Sequence, residues 1–82
     1  PAPHLAARFA SKEAFLKALG LGLREGISWQ DLVVVRDALG APSLQVGGRA
    51  AEILVQRQIS GCHLSYSHDG DYAFATVVLE HP

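Results

Sequence analysis

Two alternating runs near the end of the chain, separated by Asp69-Gly70, constrain the fold more than any other feature. Every second side chain is apolar in residues 62–67, and residues 72–80 place small and aliphatic side chains on one face. Such alternation is typical of strands with one buried face, and Asp-Gly favours a tight hairpin turn. The sequence therefore predicts an antiparallel hairpin. Its buried face is expected to carry Cys62, Leu64, Tyr66, Ala73, Ala75, Val77 and Leu79.

Two helices are predicted upstream of this hairpin. The first runs from about His4 to Leu19 and ends at Gly20, a residue suited to the left-handed conformation that terminates helices. The second runs from Arg49 to about Gln58, after two glycines. The apolar residues that the second helix is expected to bury are Ala50, Ile53 and Leu54.

A second pair of short strands and one capped turn complete the prediction. Ser28, three residues before Asp31, has the spacing of a helical first turn. Leu32–Arg36 is β-branched and strand-like, and Ser43–Val46 returns after a loop. The fold class is α+β, with helices covering a small, mostly antiparallel sheet, and residues 1–82 form a single domain.

Lys12 interrupts the face of the first helix that the sequence predicts to be buried. At 100° per residue, the apolar side chains at positions 5, 9, 16 and 19 form one stripe, and Lys12 falls at its centre. One interpretation is that the methylenes of Lys12 are buried while its ammonium reaches solvent. The other is that this part of the helix borders a site.

Three more charged residues surround Lys12. Glu13 and Lys17 have the spacing of a surface ion pair, which is worth ~0.2–0.5 kcal/mol. Arg8 lies one turn before Lys12, and such like charges are unfavourable without a counter-charge. Three cations and one carboxylate also suit a polyanion with a bridging divalent metal. The residues alone leave the ion pair and the site both open.

Composition excludes several classes of function. The net charge of −1 gives no global signal for nucleic acid or for an anionic membrane. The longest apolar runs are far below the ~18 residues of a spanning helix. Cys62 is the single cysteine, which fits a reducing compartment, and we expect a cytoplasmic protein.

The segment from His63 to His68 is interpreted neither as a catalytic triad nor as a zinc site. Ser67, His68 and Asp69 are consecutive, whereas the members of a catalytic triad converge from separate elements. The histidines lack partners at zinc-ligand spacing, and one cysteine makes no zinc site. A structural role for the serines, with His68 capping the turn, stays open at this point.

Three segments in this order resemble one family. They are "RFASKEAFLKALGLG", "GISWQDLVVVRDALGAPSLQVGG" and "HLSYSHDGDYAFATVVLE". Together they resemble the holo-acyl-carrier-protein synthases, which are small bacterial 4′-phosphopantetheinyl transferases. The resemblance extends from about His4 to Glu80.

The resemblance implies roles for the charged residues of the first helix. Glu13 matches the glutamate that binds magnesium in the family. Lys12 and Lys17 match its lysines near the diphosphate of coenzyme A, and Arg8 matches a basic residue at the same site.

The resemblance also implies roles for two other segments. The loop at Gly40 and Pro42 matches the one bordering the adenine nucleotide, although the family usually has lysine where this chain has Ala41. His68 matches the histidine beside the phosphates, and it or a metal-bound water is the expected base. Glu13 would be a poor base if it binds the metal.

The implied activity is transfer of 4′-phosphopantetheine from coenzyme A to a serine of apo acyl carrier protein, in fatty acid biosynthesis. Adenosine 3′,5′-bisphosphate is released. The implied cofactor is Mg²⁺, the partners are acyl carrier protein and coenzyme A, and the assembly is a homotrimer. A non-catalytic coenzyme A or nucleotide-binding module, or an oligomer subunit, remains an alternative.

One part of the family pattern has no match. Family members open with a Gly-x-Asp segment whose aspartate also binds the metal, whereas this chain begins at Pro1 and has no methionine. We expect the chain to be the C-terminal portion of a longer protein, inactive and poorly soluble alone. We also expect either that the N-terminal segment is supplied as a separate chain or that an open groove lies beside Glu13, where the missing strand would run.

Overall fold

The computed structural model describes residues 2–69 and 72–81, and for residues 2–4 and 68 it describes the backbone only. Within these ranges the chain forms two α-helices, a short 3-10 helix and four strands. Their bounds are α1 Ala2–Leu19, the 3-10 helix Trp29–Asp31, β1 Leu32–Arg36, β2 Pro42–Val46, α2 Gly48–Gln56, β3 Gly61–Asp69 and β4 Tyr72–Glu80. The predicted α+β class and the order of its elements are confirmed.

The strands form two antiparallel pairs. β1 pairs with β2, from Leu32 opposite Val46, and β3 pairs with β4 through Asp69 opposite Tyr72. The predicted hairpin is therefore confirmed, but its strand includes Asp69, and Gly70 lies outside the described residues. β2 packs beside β3, but no strand ladder joins them in the described residues. The strands therefore make two two-stranded sheets rather than one continuous sheet.

The buried face of α1 differs from the predicted apolar stripe. Leu5 and Phe9 are 63% and 59% exposed. The side chains that α1 buries are Ala7, Ser11, Phe15, Leu16 and Leu19. Leu16 and Leu19 belong to the predicted stripe and are buried as predicted, but the centre of the buried face is rotated from that of the stripe by about 80°.

Small side chains explain the rotation. α1 packs chiefly on β4, and the Ala7–Ser11 edge lets the helix backbone approach the sheet, which larger side chains would prevent. Ser11 is fully buried and its hydroxyl donates to the Ala7 carbonyl at 2.7 Å. That bond satisfies the one polar group on the face, so a serine can stand where the pattern expects an apolar residue.

Asp31 connects the 3-10 helix to α2. Its carboxylate accepts hydrogen bonds from the Ser28 amide at 3.0 Å and the Ala50 amide at 3.3 Å. The first bond belongs to the predicted capping box, which is confirmed. Gly48 has a φ of 55°, and a Cβ there would lie 2.4 Å from Asp31 Oδ1. Only glycine allows α2 to begin this close to Asp31.

The core lies between α1, the β1 strand and α2. Its fully or nearly fully buried apolar residues are Phe15, Leu16, Leu19, Ile27, Leu32, Ala50 and Ile53. Of the three residues that α2 was predicted to bury, Ala50 and Ile53 are buried, whereas Leu54 is only partly buried at the edge of the core. Within the described ranges, no helix combines the length and the apolar composition needed to span a bilayer.

The rotation of α1 predicts different costs for its two phenylalanines. Phe15 is fully buried whereas Phe9 is more than half exposed. Phe15→Ala should lower the free energy of unfolding by about 3–5 kcal/mol, and Phe9→Ala by roughly 1 kcal/mol or less. Urea unfolding of the two variants measures both. A larger loss for Phe9→Ala than for Phe15→Ala would show that the helix buries the face that the stripe predicted.

Candidate functional site

An open groove of about 690 Å³ lies between α1, the 3-10 helix and β1. Its walls carry Leu5, Ala6, Arg8, Phe9, Lys12, Trp29, Leu32, Val33 and Val34. The groove is formed by the side of α1 that the apolar stripe predicted to be buried. The exposed side chains of this stripe, Leu5 and Phe9, therefore line a cavity instead of filling the core.

Lys12 lies on the wall of this groove. Its ammonium is 5.0 Å from the centroid of the Trp29 indole and 3.4 Å from the Trp29 carbonyl oxygen. The indole also packs against Phe9, with 5.4 Å between ring centroids. The half-buried Lys12 thus lines the groove beside the indole, and its ammonium donates to a backbone carbonyl. This part of α1 therefore borders a cleft, as the second interpretation of Lys12 expects.

Arg8 extends the positive charge into a second pocket. Arg8, Val34, Val35, Arg36 and Tyr66 line this pocket of about 400 Å³, which we call the arginine pocket. Arg36 Nε donates to the Tyr66 hydroxyl at 2.8 Å, and the guanidinium carbon lies 5.5 Å from the centroid of the Tyr66 ring. Sequence reasoning missed Arg36, because no local pattern indicates a contact across 30 residues of sequence.

Glu13 and Lys17 lie on another side of α1. Both side chains are exposed, and neither lines the groove or the arginine pocket. The ion pairs found among the described residues are Arg49–Glu52 and His63–Glu80, so the surface pair between Glu13 and Lys17 does not form. The groove expected beside Glu13 stays a prediction. The groove that the structure shows lies beside Lys12, one residue step around the helix from Glu13.

The Gly40 loop is held by its own hydrogen bonds. One carboxylate oxygen of Asp37 accepts from the Leu39 amide at 2.8 Å and the Ala41 amide at 2.9 Å. Gly40 has a φ of 86°, in the region that favours glycine. Pro42 pairs with Arg36 across the β1–β2 hairpin. The last residue of the loop therefore lies opposite Arg36, and hydrogen bonds within the loop hold its conformation.

The remaining ionisable candidates contribute less to the described site. The side chain of His68 lies outside the described part of the structure, so its predicted role stays a prediction. Among the residues described, no three His, Cys, Asp or Glu side chains cluster as metal ligands. Burial raises the pKa of the Cys62 thiol above its usual range, so its thiolate is scarce at neutral pH.

The contacts of Lys12 predict that its charge is dispensable for folding. A partly exposed cation–π contact is worth about 0.5–1 kcal/mol, and Lys12→Met keeps an apolar stem along the indole. The free energy of unfolding should therefore stay within about 1 kcal/mol of the original value. Thermal unfolding followed by the fluorescence of Trp29, the single tryptophan, measures it. A loss of several kcal/mol would make Lys12 a structural residue.

Several holo-[acyl-carrier-protein] synthases are similar to this chain in sequence. The one from Syntrophotalea carbinolica is 62% identical over 80 residues, covering 98% of this chain and 62% of the relative. The one from Geobacter sulfurreducens is 56% identical over 79 residues, covering 96% and 63% respectively. The chain thus spans less than two thirds of the length of these relatives.

Solved structures of such synthases share the fold. The Neisseria meningitidis enzyme matches with a TM-score of 0.86 and 42% identity over 94% of this chain and 62% of its own. The Helicobacter pylori enzyme, solved in complex with coenzyme A, matches with a TM-score of 0.81 and 31% identity over 95% and 65%. The sequence pattern of one family, described as the 4′-phosphopantetheinyl transferase superfamily, matches residues 1–77. The chain belongs to the 4′-phosphopantetheinyl transferase superfamily.

Proposed function

We propose that the protein transfers 4′-phosphopantetheine from coenzyme A to a serine hydroxyl of apo acyl carrier protein. The observation that carries this proposal is the 62% identity, over nearly the whole chain, with a relative named holo-[acyl-carrier-protein] synthase. A relative solved with coenzyme A supports the same donor substrate. Adenosine 3′,5′-bisphosphate is the product that leaves when the oxygen of serine attacks the phosphorus bearing the pantetheine arm.

The cations of α1 suit this chemistry. Phosphoryl transfer depends on positioning and on neutralising the charge of the phosphate oxygens. Arg8 and Lys12 supply two positive charges to a groove whose other walls are mostly apolar, and apolar surroundings strengthen each charge–phosphate contact. Lys17 is solvent-exposed on α1 and is proposed to hold the diphosphate from the other side of the helix.

A magnesium ion is part of the proposal, with Glu13 as its protein ligand. The carboxylate of Glu13 is exposed and makes no ion pair with any described residue, so it is available to a cation. Mg²⁺ is usually held by one or two carboxylates together with substrate phosphates and waters, and a single free carboxylate fits that chemistry. When bound, the ion would neutralise phosphate charge.

Other features of the proposal rest chiefly on family likeness. They are His68 as the base that accepts the serine proton, the Gly40–Pro42 loop beside the adenine nucleotide, a homotrimer and a cytoplasmic location. The preformed Gly40 loop supports the second of these, because a ligand would not need to order it.

The role of Glu13 predicts the result of one isosteric change. Glu13→Gln removes the charge that holds the metal, so transfer in the full-length protein should fall by about a hundredfold or more. The assay incubates the protein with apo carrier protein, coenzyme A and Mg²⁺, and weighs the carrier by mass spectrometry. The exposed Glu25→Gln is the matched control and should keep the original rate.

The outcomes of this assay separate three cases. Transfer by the unchanged protein and its loss in Glu13→Gln support the proposal. Original rates in Glu13→Gln would remove Glu13 from the metal site. Binding of coenzyme A without any transfer would identify a non-catalytic coenzyme-binding module.

Lys17 predicts a salt-dependent binding defect. Lys17→Ala should weaken coenzyme A binding about fivefold at low salt, since one charge contact is worth ~1 kcal/mol in water. The difference should shrink as salt rises, because screening weakens the contact in the unchanged protein. Calorimetry across a salt series measures both, with the exposed Arg24→Ala as the control. Unchanged affinity at every salt concentration would leave Lys17 without a role in binding.

A further inference from the structure

We propose that Trp29 is a positioning residue that holds the ammonium of Lys12 in place for the phosphates of coenzyme A. Trp29 belongs to the 3-10 helix and Lys12 to α1, and both side chains line the groove. The family resemblance assigns a role to Lys12 and none to Trp29. The inference rests on the proposed function and deepens it, because it names the residue through which the fold fixes one of the phosphate-binding charges.

Two contacts with Trp29 restrain the Lys12 ammonium. The ammonium lies over the indole, 5.0 Å from the ring centroid, and donates to the Trp29 carbonyl oxygen at 3.4 Å. A cation at such a distance is attracted by the quadrupole of the ring, and indole is the best ring for this contact. The ammonium carries three N–H donors, of which the carbonyl and the ring face engage two at most. At least one N–H is left for a ligand oxygen.

The backbone of Trp29 is fixed by contacts that do not involve Lys12. Its carbonyl also accepts the amide of Leu32, a residue that is fully buried in the core. The capping box at Asp31 closes the 3-10 helix, and the same carboxylate accepts the Ala50 amide of α2 at 3.3 Å. The carbonyl that receives the ammonium is therefore anchored to the core and to α2, so it can locate the end of a flexible side chain.

Order imposed on Lys12 before binding favours the ligand. A lysine side chain is flexible, and contact with a phosphate orders it at a cost in entropy. The indole, which packs against Phe9 with 5.4 Å between ring centroids, orders Lys12 in advance, so less is lost on binding. A charge that is already in place also needs no reorganisation during phosphoryl transfer. Lys17 provides the contrast, since it is exposed and lies over no aromatic ring among the described residues.

A double-mutant cycle on coenzyme A binding, measured by calorimetry of the full-length protein, tests the proposal. Trp29→Leu should raise the Kd about fivefold, because the cation–π contact is lost, whereas Trp29→Phe keeps an aromatic face and should raise it less than twofold. In the Lys12→Met background Trp29→Leu should have no further effect, since the group that it positions is gone. In the Lys17→Ala background the full effect should persist. Equal effects of Trp29→Leu in the Lys12→Met and Lys17→Ala backgrounds would overturn the proposal.

NMR of the Lys12 side chain reports the contact without a ligand. Protons above the face of an indole are shifted upfield by the ring current, so the ε-methylene signal of Lys12 should lie upfield of that of Lys17. Trp29→Leu should abolish this difference, and Trp29→Phe should keep part of it. Both substitutions shorten the side chain, so thermal unfolding of the two variants shows whether a binding defect follows lost packing or the lost aromatic face. An unshifted Lys12 signal in the unchanged protein would overturn the proposal.

The outcomes distinguish failure of this inference from failure of the proposed function. Coupling between Trp29 and Lys12 in coenzyme A binding, without any transfer to carrier protein, would support the positioning role and contradict the transferase. Transfer and binding without that coupling would contradict the positioning role and leave the transferase intact. If coenzyme A does not bind, inorganic pyrophosphate replaces it as the probe in the same cycle. Absence of coupling with pyrophosphate as well would overturn the positioning role.

Discussion

The packing of α1 on β4 through small side chains determines most of what the rest of the structure does. Ala7 and Ser11 occupy the contact face, and Phe15 follows them into the core. This arrangement turns Leu5 and Phe9 away from the sheet, and Arg8 and Lys12 lie with them along the groove. A bulkier residue at position 11 would force the helix off the sheet and close or move the groove. The cleft beside Lys12 is thus a consequence of two small residues on the opposite edge of the helix.

The sequence predicted the strands better than the orientation of the first helix. Alternation along residues 62–67 and 72–80 determines which face of each strand is buried. The observed β3–β4 register places those faces together. On α1, apolar side chains occur around much of the helix, so the stripe that the pattern indicated was not the only face that could be buried. Side-chain size decided the outcome, since close packing favours alanine and serine over the larger apolar residues. Ser11 in particular carries no hydrophobic signal, and its bond to the Ala7 carbonyl is visible only in the folded chain.

The candidate site was predictable in part. Lys12 stood out because it breaks an apolar stripe, and the structure confirms that it borders a cleft. Arg36 and Tyr66 could not be found this way, because they are 30 residues apart in sequence and belong to different hairpins that meet only in the folded chain. The charges of α1 also divide between two sides of the helix, which the spacing implies and the resemblance does not state. A ligand that contacts all of them must extend around the helix rather than sit in one pocket.

The division of the strands into two hairpins has a consequence for how the chain folds. Each pair closes over a short connection, five residues in β1–β2 and two in β3–β4, so each register is established by neighbours in sequence. Hairpins of this kind form in roughly 1–10 μs, long before distant segments meet. In the described part of the chain the two pairs share no strand ladder, although β2 packs beside β3, and α1 contacts strands of both pairs. Docking of α1 therefore helps to convert two local structures into one cooperative unit. Changes at its small-residue face should slow folding more than changes at either turn.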